Sequence, residues 1–266
     1  MNSENNFRVA VVVPLYTNKI SEPDQISLDL LQKNLSEFSI NVICPPRFKK
    51  FHASFIYHEL DSKYFLNTQT YSRLLLSKNF YSMFEEYDYL LIYQTDCLVF
   101  SNDLLHWCNL GYDYIGAPLF KNINKPSMWF SRVGNGGFSL RKVSSFLKVL
   151  NSRHMIKWSS IFRMDLPDRP FWDYYKKINV IRETKKGIDW YAKNYSLNED
   201  LFWSDRAKLF YPNFKIAPLK VGLKFAFDMH PKFCFKRNKN TLPFGAHGWQ
   251  KRDKTFWLEI LRDIND

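Results

Sequence analysis

The sequence predicts an α/β protein that begins with a Rossmann-like, mostly parallel sheet, and three runs near its start carry that prediction. Residues 8–13 form a short valine-rich run, which is typical of a buried parallel strand. Apolar residues follow at helical spacing over 22–36, with Ser21 as the expected N-cap. A second strand is predicted over 40–44, where two prolines stop it. Strand, helix and strand in immediate succession indicate a βαβ unit.

The remaining elements continue this alternation and then become less regular. Up to residue 115 we predict a strand over 55–60, a helix over 70–86, a strand over 89–96, a short helix over 104–108 and a strand over 112–115 that Gly-Ala-Pro closes. A loop over 119–131, a glycine-rich stretch and a helix over 142–150 follow, and then an irregular lid or acceptor-side insertion over 151–195. The rest is predicted as an amphipathic helix opened by Asn-Glu-Asp at 198–200, loops and strands over 211–250, and a last helix over 256–264. No repeat or linker divides the chain, so a single domain over 1–266 is expected.

Composition places the chain among globular intracellular proteins. Hydrophobic residues make up 45% and aromatic residues 18%, which is ample for a core and excludes disorder. The four cysteines form no CxxC pair and predict reduced thiols. Residues 1–6 are polar and no apolar run reaches about 18 residues, so neither a signal peptide nor a membrane span is expected. We therefore expect a cytoplasmic protein.

The charge balance predicts anionic partners. The net charge is +12, and residues 215–254 hold ten Lys and Arg residues against two Asp residues, a net charge of +8. Neither zinc-finger spacing nor an RNP1-like sequence is present and the basic residues form no dense tract, so nucleic acid is not favoured. Phosphorylated ligands and peripheral contact with an anionic membrane, at the inner face of the plasma membrane, remain open.

The most informative segment is the strand at 89–96, which ends in Gln94, Thr95 and Asp96. A buried carboxylate costs several kcal/mol unless a partner compensates it. Ligands of open α/β sheets bind outside the carboxyl ends of the strands. We therefore expect Asp96 at a cleft, facing a cation or a polar ligand. The alternative is that Asp96 only caps a turn.

Three further motifs could carry chemistry. The glycine-rich stretch at 134–137 lets backbone approach a ligand, although it fits neither the dinucleotide fingerprint nor a P-loop; the alternative is a bulged turn. Glu199 and Asp200 either favour a helix N-terminus or supply one general base, since adjacent side chains point to different faces. His247, close to two glycines, could join a carboxylate in holding a divalent cation such as Mn²⁺, or could be an ordinary surface or core residue.

The order of these motifs resembles the layout of GT-A glycosyltransferases, and more closely a bacterial family of GT-A-like glycosyltransferases among polysaccharide-synthesis proteins. The resemblance covers nearly the whole chain. Its motifs are Val-Val-Val-Pro-Leu-Tyr at 11–16, Tyr-Leu-Leu-Ile-Tyr-Gln-Thr-Asp at 89–96, Gly-Tyr-Asp-Tyr-Ile-Gly-Ala-Pro at 111–118, Val-Gly-Asn-Gly-Gly-Phe-Ser-Leu-Arg at 133–141, Asn-Glu-Asp at 198–200 and Phe-Gly-Ala-His-Gly-Trp at 244–249.

The resemblance implies a GT-A-like fold, with a nucleotide-sugar-binding half at 1–118 and an acceptor-side, catalytic half at 119–266. Asp96 and His247 would hold Mn²⁺ or Mg²⁺ on the donor diphosphate. Gln94 stands where such enzymes usually carry the first Asp of Asp-x-Asp, so metal dependence stays open. The donor-binding residues implied are Pro14, Tyr16, Tyr71, Arg73, Gln94, Thr95, Asp96, Asn135, Gly136 and Gly137.

The implied activity is transfer of a sugar, from a UDP-sugar in preference, to a hydroxyl of a glycan or lipid-linked acceptor in bacterial surface polysaccharide synthesis. Asp200 would be the base of an inverting displacement, with Glu199 as second choice. One alternative is a nucleotidyl- or phosphotransferase, although no lysine-containing glycine loop follows the first strand. The other is a non-catalytic carbohydrate- or membrane-binding module, which would not bind nucleotides.

Overall fold

The fold is built around a six-stranded mixed sheet, which a computed structural model of the chain describes within residues 7–121, 130–153 and 182–265. The strands of the chain are β1 (Val9–Pro14), β2 (Ser39–Cys44), β3 (Ile56–Glu59), β4 (Tyr89–Tyr93), β5 (Cys97–Val99), β6 (Tyr114–Phe120), β7 (Phe130–Lys142), β8 (Ala226–Phe227) and β9 (Gly245–His247). The order in the large sheet is β3-β2-β1-β4-β7-β6. Its first four strands are parallel, and β7 runs antiparallel to both of its neighbours, β4 and β6. The predicted α/β class with a mostly parallel central sheet is confirmed.

A small second sheet, β5-β9-β8, lies at the carboxyl edge of the large one. A tight turn joins β4 to β5, in which the Cys97 amide donates to the Gln94 carbonyl at 3.0 Å. Strand β9 runs antiparallel to β5 and pairs Cys97 with His247. This register places His247 beside the turn that holds Asp96, so two motifs about 150 residues apart in sequence lie next to each other.

Helices cover both faces of the large sheet. They are α1 (Glu22–Leu35), α2 (Thr68–Leu74), α3 (Lys78–Ser82), α4 (Leu104–Asn109), α5 (Val143–Leu150), α6 (Ile188–Asn194), α7 (Glu199–Asp205), α8 (Ala207–Phe210), α9 (Leu219–Phe225), α10 (Pro231–Arg237) and α11 (Lys254–Asn265). Ser21 caps α1 as predicted, in a capping box with Asp24. None of the helices within the described ranges is both long enough and apolar enough to span a bilayer.

The core has two layers because successive strand residues face opposite sides of the sheet. On β1, Val11 and Val13 pack on the α1 side, whereas Ala10 and Val12 face the layer that contains α3, α5 and α7. All four are fully buried. Each buried valine contributes about 1.5 kcal/mol or more.

The structure corrects several predicted element boundaries. The helix predicted over 70–86 is two short helices, α2 and α3, because Ser77 takes up extended backbone between them. The strand predicted to close at 115 continues as β6 through Pro118, which an edge strand tolerates because it needs fewer ladder donors. The segment 211–250 contains α9 and α10 and is not confined to loops and strands.

The glycine-rich stretch at 134–137 lies inside the long strand β7 and is not a turn between elements. The ladder between β6 and β7 shifts register between Gly116 and Ala117, opposite this stretch. A side chain at Gly116 would collide with the Gly134 carbonyl. Of the predicted insertion at 151–195, residues 154–181 lie outside the described ranges, and α6 forms in the part that follows.

Candidate functional site

A cleft of about 560 Å³ opens at the carboxyl ends of β1 and β4. It is lined by Tyr16, Asp24, Phe65, Leu66, Asn67, Thr68, Tyr71, Gln94, Thr95, Asp96, His247, Gln250 and Lys251. Six of the residues predicted from the sequence therefore share one cavity. Asp96 is both in a turn and at the cleft, so the two interpretations of this residue hold together.

His247 is the centre of the polar end of the cleft. Its Nε2 lies 3.3 Å from Asp96 Oδ1 and 3.2 Å from Gln94 Oε1. Its Nδ1 lies 3.5 Å from Asp228 Oδ1 and 3.0 Å from Asn135 Nδ2. Burial disfavours the charged ring, but hydrogen bonds to Asp228 and Asp96 outweigh it and raise the pKa of His247 to about 9.

Asp96 and His247 stabilise each other's charged form. Burial alone would raise the pKa of Asp96, yet the hydrogen bond and charge of His247, with the more distant Lys251, hold that pKa below its ordinary value. Lys251 Nζ lies 3.8 Å from Asp96 Oδ2 and is largely exposed. The polar end of the cleft thus presents an exposed ammonium next to a more buried ion pair.

Aromatic rings form another wall of the cleft. Tyr16 makes edge contacts with Phe65 and Tyr71, each with ring centroids 5.9 Å apart. Tyr16 is 43% exposed, which leaves ring surface for a ligand. The Tyr71 side chain is buried, and its hydroxyl interacts with Gln94. A planar ligand with polar edges would suit this wall.

Asn135 connects the cleft to a second acidic group behind β7. Its backbone is left-handed, with φ 80°. Its side-chain oxygen accepts from the amides of Gly137 and Phe138 at 2.8 and 3.1 Å. Its own backbone amide donates to Asp200 Oδ2 at 2.8 Å. Asp200 and His247 are therefore placed by the same residue.

Asp200 is almost buried at the start of α7. Its other oxygen, Oδ1, accepts from the Leu201 amide at 2.9 Å. Burial, followed by the nearby charge of Glu199, raises the pKa of Asp200 to about 6, although the backbone hydrogen bonds oppose this shift. Asp200 does not line the cleft described above.

Glu199 belongs to a buried ion-pair network. Its Oε1 lies 3.0 Å from Nη2 of Arg141, which is fully buried, and its Oε2 accepts from Ser72 Oγ at 3.1 Å. Arg141 also donates to Tyr81 and Ser139. The Glu199 carboxylate is thus held in a buried ion pair with Arg141, which favours a structural role over that of second-choice base.

The two glycines at 136 and 137 allow close approach of these groups to β7. A Cβ on Gly136 would collide with the Glu199 carboxylate. A Cβ on Gly137 would collide with the His247 ring and lie 2.8 Å from Gln94 Oε1. The glycines therefore accommodate protein side chains that flank the site.

Residues 54–247, which include the Gln-Thr-Asp turn, the glycine-rich stretch, the acidic pair and His247, match a protein-family model described as "Protein of unknown function (DUF5672)". The chain belongs to this DUF5672 family. Nothing among the curated proteins matches its sequence significantly.

Solved structures with low sequence identity resemble this DUF5672 protein. The galactosyltransferase LgtC, in complex with donor and acceptor sugar analogs, aligns over 90% of this chain and 86% of its own, with 13% identity and a TM-score of 0.44. The apo structure of WbbM, a bifunctional glycosyltransferase, aligns over 93% of this chain and 46% of its own, with 11% identity and a TM-score of 0.48. An active-site mutant of LgtC aligns with 14% identity over 90% and 86%, with a TM-score of 0.43.

Five residues predicted to bind the donor do not line the cleft in the DUF5672 protein: Pro14, Arg73, Asn135, Gly136 and Gly137. Pro14 is buried at the end of β1. Arg73 lies on the other side of α2, where it lines a neighbouring groove together with Lys63, Lys78 and Lys193. Tyr71 and Arg73 therefore lie two positions apart on α2 and line different cavities.

Sequence reasoning missed Asp228, Lys251, Phe65 and Gln250. Asp228 follows β8 directly, and its signal was an isolated acid in a strongly basic segment. Gln250 and Lys251 follow the Gly-Trp pair after His247. Lys251 entered the sequence reasoning only as one of the ten basic residues of 215–254, and Gln250 gave no signal. Phe65 lies in a single 3₁₀ turn at Ser62–Phe65, whose position beside Tyr16 depends on tertiary packing.

The donor atoms at the cleft fit a divalent cation only when a ligand completes its shell. The described part of the chain holds no cluster of three or more His, Cys, Asp and Glu side chains suited to a metal. Asp96 supplies a carboxylate, Gln94 an amide oxygen and His247 its Nε2, while Asp228 occupies the position behind the imidazole that a carboxylate takes at metal sites. Mn²⁺ or Mg²⁺ bound here would share its remaining positions with ligand oxygens.

Proposed function

We propose that this DUF5672 protein is a glycosyltransferase that moves a sugar from a nucleotide-sugar donor to an acceptor hydroxyl. The observation that carries the proposal is the cleft itself, which combines an aromatic wall with a cationic and carboxylate end. A nucleoside diphosphate has this division between a flat base and charged phosphates. The position at the carboxyl ends of β1 and β4 is where open α/β sheets bind ligands.

The donor is placed with its base on the wall of Tyr16 and Tyr71 and its diphosphate towards Asp96, His247 and Lys251. We favour a UDP-sugar. Asp96 and His247 would hold Mn²⁺ or Mg²⁺, which would neutralise charge on the leaving diphosphate. Lys251 supplies a further positive charge at the same end. Asn135, Gly136 and Gly137 would lie where the donor sugar meets the acceptor.

The chemical step we propose is a single inverting displacement with Asp200 as general base. The acceptor oxygen attacks the anomeric carbon, the bond to the diphosphate breaks, and Asp200 takes the hydroxyl proton. The raised pKa of Asp200, about 6, suits a group that accepts a proton near neutral pH. Asn135 keeps Asp200 in register with the donor end through its backbone amide.

For the acceptor we propose a glycan or lipid-linked saccharide of bacterial surface polysaccharide synthesis, at the inner face of the plasma membrane. The support is the net charge of +8 over residues 215–254, which suits anionic lipid surfaces. The donor half would be residues 1–118 and the acceptor half residues 119–266. Strand β6 crosses this boundary, so both halves contribute to one sheet.

Nucleotide binding tests the donor site. UDP, GDP and CDP are each added with and without Mn²⁺ while thermal unfolding is followed. A nucleotide at 100 times its dissociation constant adds about 2.7 kcal/mol to the free energy of unfolding. Asp96→Asn should remove the Mn²⁺-dependent part, whereas Asp263→Asn, an exposed substitution with the same charge change, should not. Stabilisation by no nucleotide would contradict the proposal and favour a carbohydrate- or membrane-binding module.

The products test the reaction. Incubation with UDP-sugars and a saccharide acceptor, followed by NMR of the anomeric proton, should show transfer with inverted configuration. Retained configuration would exclude Asp200 as base while leaving glycosyl transfer intact. Release of a nucleoside monophosphate, or phosphate on the acceptor, would identify a nucleotidyl- or phosphotransferase instead.

A further inference from the structure

A second cavity, of about 760 Å³, lies among α4, α9 and the segment between α10 and β9. The lining residues of this cavity and those of the donor cleft do not overlap. Strand β9 follows directly after Phe244, which lines the second cavity, and ends at His247 in the donor cleft. The two spaces are thus opposite ends of one strand, about 10 Å apart along it.

Four basic side chains converge on this cavity: Lys220, Lys224, Arg237 and Lys239. In the part of the chain that the structure describes, no ion pair involves any of the four. Lys220 and Lys224 lie four residues apart on α9, which sets two like charges on one helix face. Asp103, the carboxylate of the lining, accepts from Ser101 Oγ at 2.9 Å. An excess of positive charge therefore faces the cavity without compensation.

The apolar side of the cavity contains a polar group with no partner. Trp107 is 7% exposed, and its indole N–H has no hydrogen-bond partner among the described residues. Its ring packs against Phe225 and Phe244, with centroids 5.2 and 5.9 Å away. A buried donor left unsatisfied is unfavourable unless a ligand accepts from it. Phe100, Leu223 and Leu242 add apolar surface to the same lining.

We propose that this cavity binds the phosphate group of a ligand that also carries an apolar part. Phosphate offers several acceptor oxygens and more than one negative charge, which suits four cations and an indole donor better than a single carboxylate does. The planar guanidinium of Arg237 can bind two phosphate oxygens at once. The aromatic and aliphatic lining takes the apolar part. This assignment does not depend on the donor site or on glycosyl transfer.

The indole of Trp107 supplies a local readout. The full-length chain is labelled with ¹⁵N, and the Trp107 indole cross-peak is assigned by its loss in Trp107→Phe. Titration with inorganic pyrophosphate should move the Trp107 peak. The double variant Lys224→Glu/Arg237→Glu should weaken this binding about tenfold or more, since two phosphate contacts become repulsive.

The matched control is Lys208→Glu/Lys236→Glu, which makes the same charge change at exposed lysines outside the cavity. It should leave pyrophosphate affinity within about threefold of the parent. Circular dichroism and thermal unfolding, measured for both variants, confirm that they are folded. A stationary Trp107 peak would overturn the proposal, and so would equal weakening by both double variants, because diffuse surface charge would then explain the binding.

Vesicles identify the source of the phosphate. Flotation is compared for phosphatidylcholine vesicles with and without phosphatidic acid. Binding that needs phosphatidic acid and is lost in Lys224→Glu/Arg237→Glu, but kept in the control variant, assigns a lipid phosphate. Loss of pyrophosphate binding with unchanged flotation assigns a soluble phosphorylated ligand.

Discussion

Substituting Glu199 by Gln distinguishes a structural from a catalytic role for this residue. The substitution keeps the shape of the side chain and removes the charge that compensates Arg141, whose side chain is fully buried. Removing one partner of a buried ion pair costs about 3–5 kcal/mol, since it leaves the other charge uncompensated. Tyr81 and Ser139 still accept from Arg141, which favours the lower end of that range. For a chain of this size about 3 kcal/mol lowers Tm by about 6–12 °C.

The assay is thermal unfolding followed by circular dichroism, together with urea unfolding. Glu86→Gln is the matched control, because Glu86 pairs with Arg8 at the surface, where both side chains are about 60% exposed. An exposed pair contributes about 0.5 kcal/mol, so the Tm of this variant should hardly change. If Glu199→Gln kept its Tm yet lost turnover by about a hundredfold, the structural assignment would be refuted and Glu199 would act in the chemical step.

Three other perturbations test the site. Asp200→Asn should reduce turnover about a hundredfold, and kcat/KM of the parent should fall as pH drops through about 6, because Asp200 must be deprotonated to accept a proton; a flat profile would exclude Asp200 as base. In metal-free protein, His247 contributes stability that is fully present below pH 6.5 and is lost as pH rises through about 9, so Tm should decline over that window, and His247→Gln should flatten the decline. Gly137→Ala should displace the His247 ring and weaken UDP binding about tenfold in a calorimetric titration; unchanged affinity would show that the ring position is not required.

The first half of the fold follows from local sequence patterns. The valine-rich run of β1, the capping box at Ser21 and the apolar run of β4 are each specified within a few residues, so pattern and structure agree there. The break between α2 and α3 was missed because Leu, Phe and Tyr occur throughout 70–86. Tertiary packing and the extended backbone of Ser77 decided where the first helix ended.

The polar end of the site was predicted in part, for a physical reason. Asp96 and His247 were found because each interrupts an apolar or glycine-containing segment. Asp228 was missed because its significance arises only when β8 pairs with β9 and brings it to the ring of His247. Arg73 was assigned to the donor site because it shares α2 with Tyr71, but which face of a helix meets a given cavity depends on how the helix packs.

The spacing Gly-Asn-Gly-Gly is explained by three partners that arrive from two distant segments. Gly136 accommodates the Glu199 carboxylate, and Gly137 accommodates the His247 ring. Asn135 adopts a positive φ, which glycine would do more easily. Glycine, however, would lack two groups of the Asn135 side chain: the oxygen that accepts from two backbone amides of β7, and the nitrogen that lies beside His247. Aspartate would keep the oxygen and place a further negative charge near Asp200. Asparagine is therefore the residue that satisfies the strand, the acidic pair and the histidine together, which couples the geometry of Asp200 to that of the donor cleft.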